Sequence, residues 1–158
     1  MPNQTDPHKR DSKLLSKALK LIRRERNMLA AEVAAGMNVS LSAYEKFEGG
    51  RIRLNPDYIH RFAKVTGSDH RAIQLSVMME SPAMALHASR THLVAALLLC
   101  FREACSSSHH WMGAVDFREA LRVFSDAFGQ LKELTERRQR QAAALMPDEP
   151  TDRQDPSL

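Results

Sequence analysis

Apolar residues recur at helical spacings of three and four along most of this chain, which predicts an all-α fold. Leu15, Ala18, Leu19 and Ile22 mark one face of a first helix, with Asp11 or Ser12 as its cap and an end near Asn27. Ahead of it, residues 1–12 read as a disordered arm, with two prolines and no apolar anchor. A second helix carries Val33, Ala34 and Met37 inward. Met37, Asn38 and Val39 form a turn, and Ser40 caps a third helix. That helix turns Tyr44 and Phe47 inward and leaves Leu41, Ser42, Ala43, Glu45 and Lys46 outside, and Gly49-Gly50 stops it. Asn55-Pro56 opens a fourth helix with Ile59, Phe62, Ala63 and Val65 inward and Gly67 at its end. Ser68 is the expected cap of a fifth, His70 to about Met79, with Ile73, Val77 and Met78 as its apolar contacts.

The second half has a different texture. Ser81-Pro82 predicts the start of one long helix, with Leu86, Leu93, Leu97, Cys100, Phe101 and Ala104 on one face. Val94, Leu98 and Leu99 widen its apolar surface, so it should be buried on more than one side. The stretch 106–110 reads as a polar loop with two solvated histidines, and Trp111-Met112-Gly113 is expected to fold back on the helices. Asp116 and Glu119 form a capping-box-like start to a last helix. There Phe117, Leu121, Phe124, Phe128 and Leu131 make a heptad-like seam, extended by Leu134. Residues 147–158 read as a disordered tail.

The organising stretch is 29–48. A helix, a tight turn and a second helix crossing the first make a helix-turn-helix unit, whose second helix is of a size to enter the major groove of DNA. Charge agrees. Residues 1–80 hold 14 Lys+Arg against 9 Asp+Glu, while 81–158 hold 9 against 10, so the basic excess lies in the half with this unit. By position Ser40, Leu41, Ser42, Ala43 and Lys46 face the groove. Lys46 can bond guanine, Ser42 either kind of base, and Leu41 or Ala43 can pack on a thymine methyl. No Arg, Asn or Gln stands there for bidentate readout, so specificity leans on DNA shape or on another element. Arg51 and Arg53 are the helpers, at phosphates or the minor groove. Lys13, Lys17, Lys20, Arg24 and Arg26 on the first helix read either as a phosphate-facing rim or as a solubilising surface.

Leu14 to about Met79 resembles the Cro/repressor-type, or XRE-like, helix-turn-helix domain. The resemblance is carried by Arg23 late in the first helix, the triplet Glu32-Val33-Ala34, Asn38-Val39-Ser40, Phe47-Glu48-Gly49-Gly50, Asn55-Pro56, and Val65-Thr66-Gly67. It implies a five-helix DNA-binding bundle over residues 13–80, and an ion pair between Arg23 and Glu48 that positions the recognition helix. It also implies a bacterial type of source. The chain departs from the pattern at Leu29-Ala30, where the family has Thr/Ser-Gln: the hydroxyl cap and the glutamine's phosphate contact are missing. Asn38 replaces the turn glycine.

The region 81–146 is then an assembly region. Two helices with wide apolar faces lack a core of their own, and pack either on the N-terminal domain or on a second copy. The homodimer is favoured, because doubling the unit supplies two half-sites about 34 Å apart. Leu93, Leu97, Phe101, Phe117, Leu121, Phe124, Phe128 and Leu131 are its expected contacts. The reading is thus a dimeric, sequence-specific DNA-binding transcription regulator, a repressor in type, with double-stranded DNA and itself as partners. The alternative is a protein-interaction module, antitoxin-like, whose C-terminal helices hold another protein and whose DNA binding is secondary. Enzyme chemistry finds no phosphate-cradling glycine loop, nucleophile elbow or paired carboxylates. The longest apolar run, Leu93–Phe101, is nine residues, so no membrane span is expected and the location reads as cytoplasmic. Cys100 and Cys105 match neither a redox nor a zinc pattern, and no cofactor or metal is expected.

Overall fold

The computed structural model describes residues 6–107 and 110–145, and the expected tail, the first five residues and His109 lie outside them. The described residues form eight α-helices and one turn of 3₁₀ helix, with no strand. The helices are α1 (Pro7–Glu25), α2 (Ala30–Gly36), α3 (Leu41–Glu48), α4 (Pro56–Thr66), α5 (His70–Met78), α6 (Pro82–Ala88), α7 (Leu93–Ser107) and α8 (Phe117–Leu145). They divide into two compact units, one ending at Ser107 and the other starting at Ser108.

In the first unit α1 packs on α3, α5 and α6, while α2 packs on α3 and α4. The core is the set the helical spacing picks out: Leu15, Ala18, Leu19, Ile22, Val33, Ala34, Met37, Tyr44, Phe47, Ile59, Phe62, Ala63, Ile73 and Val77 are buried. Met78 is the exception, 79% exposed, because Val77 and Ile73 already turn the inner face of α5 away from it. Phe47 sits at the aromatic centre, with its ring edge-on to Tyr58 at 5.4 Å and to Phe62 at 6.5 Å.

Each of the first five helices ends at a residue with positive φ: Asn27, Asn38, Gly50, Gly67 and Glu80. The asparagine in place of the turn glycine therefore adopts the left-handed conformation, at φ 55°.

Helix boundaries differ from expectation at three places. α1 starts at Pro7, so the expected arm, residues 1–12, includes its first turns. Asp6 accepts from the His8 amide at 3.1 Å and Pro7 fills the first helical position. Asp69, not Ser68, caps α5 through the Arg71 amide at 2.9 Å; the Ser68 hydroxyl is engaged by Thr66 Oγ1 at 3.0 Å. The expected long helix from Pro82 is two helices bent by 83°. Its break, 89–92, is built from groups that compete with helical bonding. Ser89 Oγ bonds the Leu86 carbonyl, Thr91 Oγ1 bonds that of Ala88, the Ser89 carbonyl accepts from the Asp69 amide, and His92 has φ 50°. The break lets α6 lie against α1 and α5, and the first compact unit therefore extends past residue 80 to Ser107.

In the second unit Asp116 Oδ1 accepts from the Arg118 and Glu119 amides at 2.9 and 3.0 Å and starts α8 as expected. Its 29 residues, about 43 Å of helix, include none that is buried. No single helix among the described residues is long and apolar enough to cross a membrane.

Candidate nucleic-acid interface

α2 and α3 are joined by four residues, 37–40, and the corner is closed at both sides. The Val39 amide reaches back to the Ala34 carbonyl at 3.0 Å, and Ser40 Oγ accepts from the Ala43 amide at 3.2 Å. At the start of α2, Leu29 supplies no side-chain cap, in keeping with its departure from the Thr/Ser pattern. The other half of the arrangement persists: Glu32 Oε2 accepts from the Leu29 amide at 2.7 Å.

Burial fixes which face of α3 is available. Tyr44, Phe47 and Glu48 are buried. Leu41, Ser42, Glu45 and Lys46 are exposed, and Ala43 is half-buried. Of the expected groove residues, Ser40 is thus spent on the cap and Ala43 is partly covered. Leu41, Ser42 and Lys46 form the open face.

The orientation of that face is set by a buried ionic cluster. Arg23 Nε meets Glu48 Oε1 at 2.6 Å and Nη2 meets Oε2 at 3.2 Å, a two-pronged pair that fixes both position and angle. Arg23 Nη1 also donates to the Met28 carbonyl at 3.1 Å, and the Tyr44 hydroxyl donates to Glu48 Oε1 at 2.9 Å. The hydrogen bonds it donates to the Glu48 carboxylate hold the Arg23 guanidinium even more firmly protonated than usual. Burial, then the adjacent Glu48 charge, pushes the Tyr44 hydroxyl well above the ordinary phenol range, so it remains a donor. The resemblance implied the Arg23–Glu48 pair. Tyr44 was read only as a core residue; its place four residues before Glu48, one turn away on the same helix, is the signal that could have found its second role.

The end of α3 steers the next loop. The Arg51 amide bonds the Lys46 carbonyl at 2.9 Å and the Gly50 amide bonds that of Phe47 at 3.0 Å, with Gly50 at φ 66°. Gly50 lies so close to α1 that a Cβ there would stand 2.5 Å from the Ser12 carbonyl oxygen. Half-buried Ile52 anchors the loop to the core, and Arg51 and Arg53 stay exposed beside it. The arrangement therefore brings Lys46 and Arg51 into one hydrogen-bonded turn, with Arg53 two residues beyond.

The expected assembly residues lie on both units. Leu93, Leu97 and Phe101 on α7 are exposed, and among the described residues of that helix Val94 alone is buried, so the burial expected on more than one side is not seen among the described residues of the first unit. Phe117, Leu121, Phe124, Phe128 and Leu131 on α8 are 41–76% exposed. Trp111 stands in the 3₁₀ turn His110–Ala114 and is exposed too. Among the described residues no group of three or more His, Cys, Asp or Glu could hold a metal ion. His60 and His70 instead meet edge to face at 4.9 Å.

Comparison with protein-family models, with curated proteins and with solved structures gives no match for this chain.

Proposed function

We propose that this chain is a DNA-binding transcription regulator of the Cro/repressor type, reading the major groove with α3 and acting as a homodimer. The observation that carries the reading is the Arg23–Glu48–Tyr44 cluster. It ties α3 to α1 from behind, so the face with Leu41, Ser42 and Lys46 is held outward as a preorganised edge. Lys46 supplies a donor for guanine, Ser42 an adaptable hydroxyl, and Leu41 an apolar contact for a thymine methyl. Arg51 and Arg53 anchor the phosphates next to it. With so few base readers, one copy has little sequence information. Two copies joined through the apolar faces of α7 and α8 double it, and a bound dimer over a promoter would repress.

Selection of bound duplexes from a random pool by the full chain tests this. The reading expects an enriched two-fold motif with half-sites about one helical turn apart. A pool that shows no enrichment contradicts it. A second reading is supported by α8, whose described residues include none that is buried: the second unit could hold a different protein, with DNA binding secondary. Recovery of the chain in soluble form only with such a partner would favour that reading.

A further inference from the structure

The cations along α1 fall into separate sets. Arg23 is consumed by Glu48, and Arg26 Nη2 donates to the Gly67 carbonyl at 3.3 Å. Arg10, Lys13, Lys17 and Lys20 are different. At spacings of three, four and three they share one side of α1, and with Leu14, Ser16 and Gly49 they line a groove between that helix and the end of α3. No acidic side chain among the described residues lines it. Arg10 is paired with Glu80, whereas the three lysines make no ion pair among the described residues.

The groove continues into the candidate interface. Gly49 is the C-cap of α3, and Arg51 Nε comes within 3.2 Å of the place a Gly49 Cβ would take. The opposite corner is unsuited to an anion: at the start of α2 stand exposed Leu29, half-buried Ala30 and the Glu32 carboxylate, which already occupies the Leu29 amide. From Lys13 to Lys20 the helix rises about 10 Å, which projected on the axis of a duplex covers about three phosphates of one strand.

We propose that this groove binds the sugar–phosphate backbone of duplex DNA, as a lysine track beside the strand that Arg51 contacts. The proposal rests on the DNA-binding reading above. Lysine suits the task, since a mobile point charge follows a backbone without selecting its sequence. The track supplies from α1 the phosphate contacts that the start of α2 lacks.

The test is the salt dependence of affinity for a random-sequence duplex and for the selected site, using the full chain. Lys13→Gln/Lys17→Gln/Lys20→Gln should weaken binding to both duplexes alike and flatten the log–log salt slope by about 2 to 3. The corresponding triple Lys→Arg variant should restore the slope. Both should melt like the parent. An unchanged slope in a Gln variant that melts normally, while Lys46→Ala/Arg51→Ala loses binding, overturns the track and leaves the DNA reading intact. If the parent binds neither duplex, and the three lysines instead govern binding to vesicles of anionic phospholipid, both fail.

Discussion

Glu48 Oε1 accepts two hydrogen bonds at once, from Arg23 Nε at 2.6 Å and from the Tyr44 hydroxyl at 2.9 Å. The Arg23 and Glu48 side chains are only 18% and 10% exposed. Glu48→Ala would leave a nearly buried guanidinium and a buried phenol without their acceptor. The expected cost is about 3 kcal/mol, a fall in Tm on the order of 10 °C, read by thermal or urea unfolding. Tyr44→Phe removes one bond and should cost about 1 kcal/mol. Glu80→Ala, which breaks a pair with both side chains 54% exposed, should cost less than about 1 kcal/mol.

Two glycines with nearly the same φ should respond differently to a methyl group. Gly50→Ala combines φ 66° with a Cβ 2.5 Å from the Ser12 carbonyl, so α1 and the 50–54 loop must part. A loss of about 2 kcal/mol or more is expected. Gly67→Ala has φ 61° but nothing within 4 Å, and should lose about 1 kcal/mol for the backbone conformation alone. Denaturant midpoints of the two variants give the comparison.

Stability should fall on mild acidification. Burial, then the Arg71 charge, then His60, lower the His70 pKa from its ordinary 6.5, with Asp69 acting the other way. The unfolded chain therefore takes up the proton first as pH falls through about 6.5, which favours unfolding between there and the folded-state pKa. The parent's Tm should drop over that window, and His70→Gln should show a smaller drop.

The apolar faces of α7 and α8 should join two chains. Phe124→Glu/Leu131→Glu places charges in the α8 seam without touching the core of the first unit. Sedimentation should show the parent as a dimer and the variant as a monomer. Affinity for a two-half-site duplex should fall at least about 100-fold as avidity is lost.

Much of the first unit was legible because its signals are local. The stripe Leu15–Ile22, the Ser40 cap and Asn55-Pro56 depend on neighbours within a turn or two, and each is found where the spacing puts it. The bend at 89–92 was not legible in the same way. Ser81-Pro82 and the leucines beyond suggest one helix, and the break depends on the contact of Ser89 with Asp69, twenty residues earlier. The start of α1 is legible too, since Asp6-Pro7 carries the same cap-and-proline signal as Asn55-Pro56, and it puts Arg10 on the helix beside the lysines. The lysine groove itself needs the fold, since it exists only because Gly50 brings the end of α3 onto α1.

The central claim is that the outward face of α3 reads DNA. Its most direct test is genome-wide DNA occupancy in the cells that make this protein, comparing the parent with Lys46→Ala/Arg51→Ala. The account predicts discrete parental peaks that share a two-fold motif and vanish in the variant, with the variant still folded. Absent peaks, or peaks unchanged in the variant, would contradict it and turn attention to what the α7 and α8 faces bind.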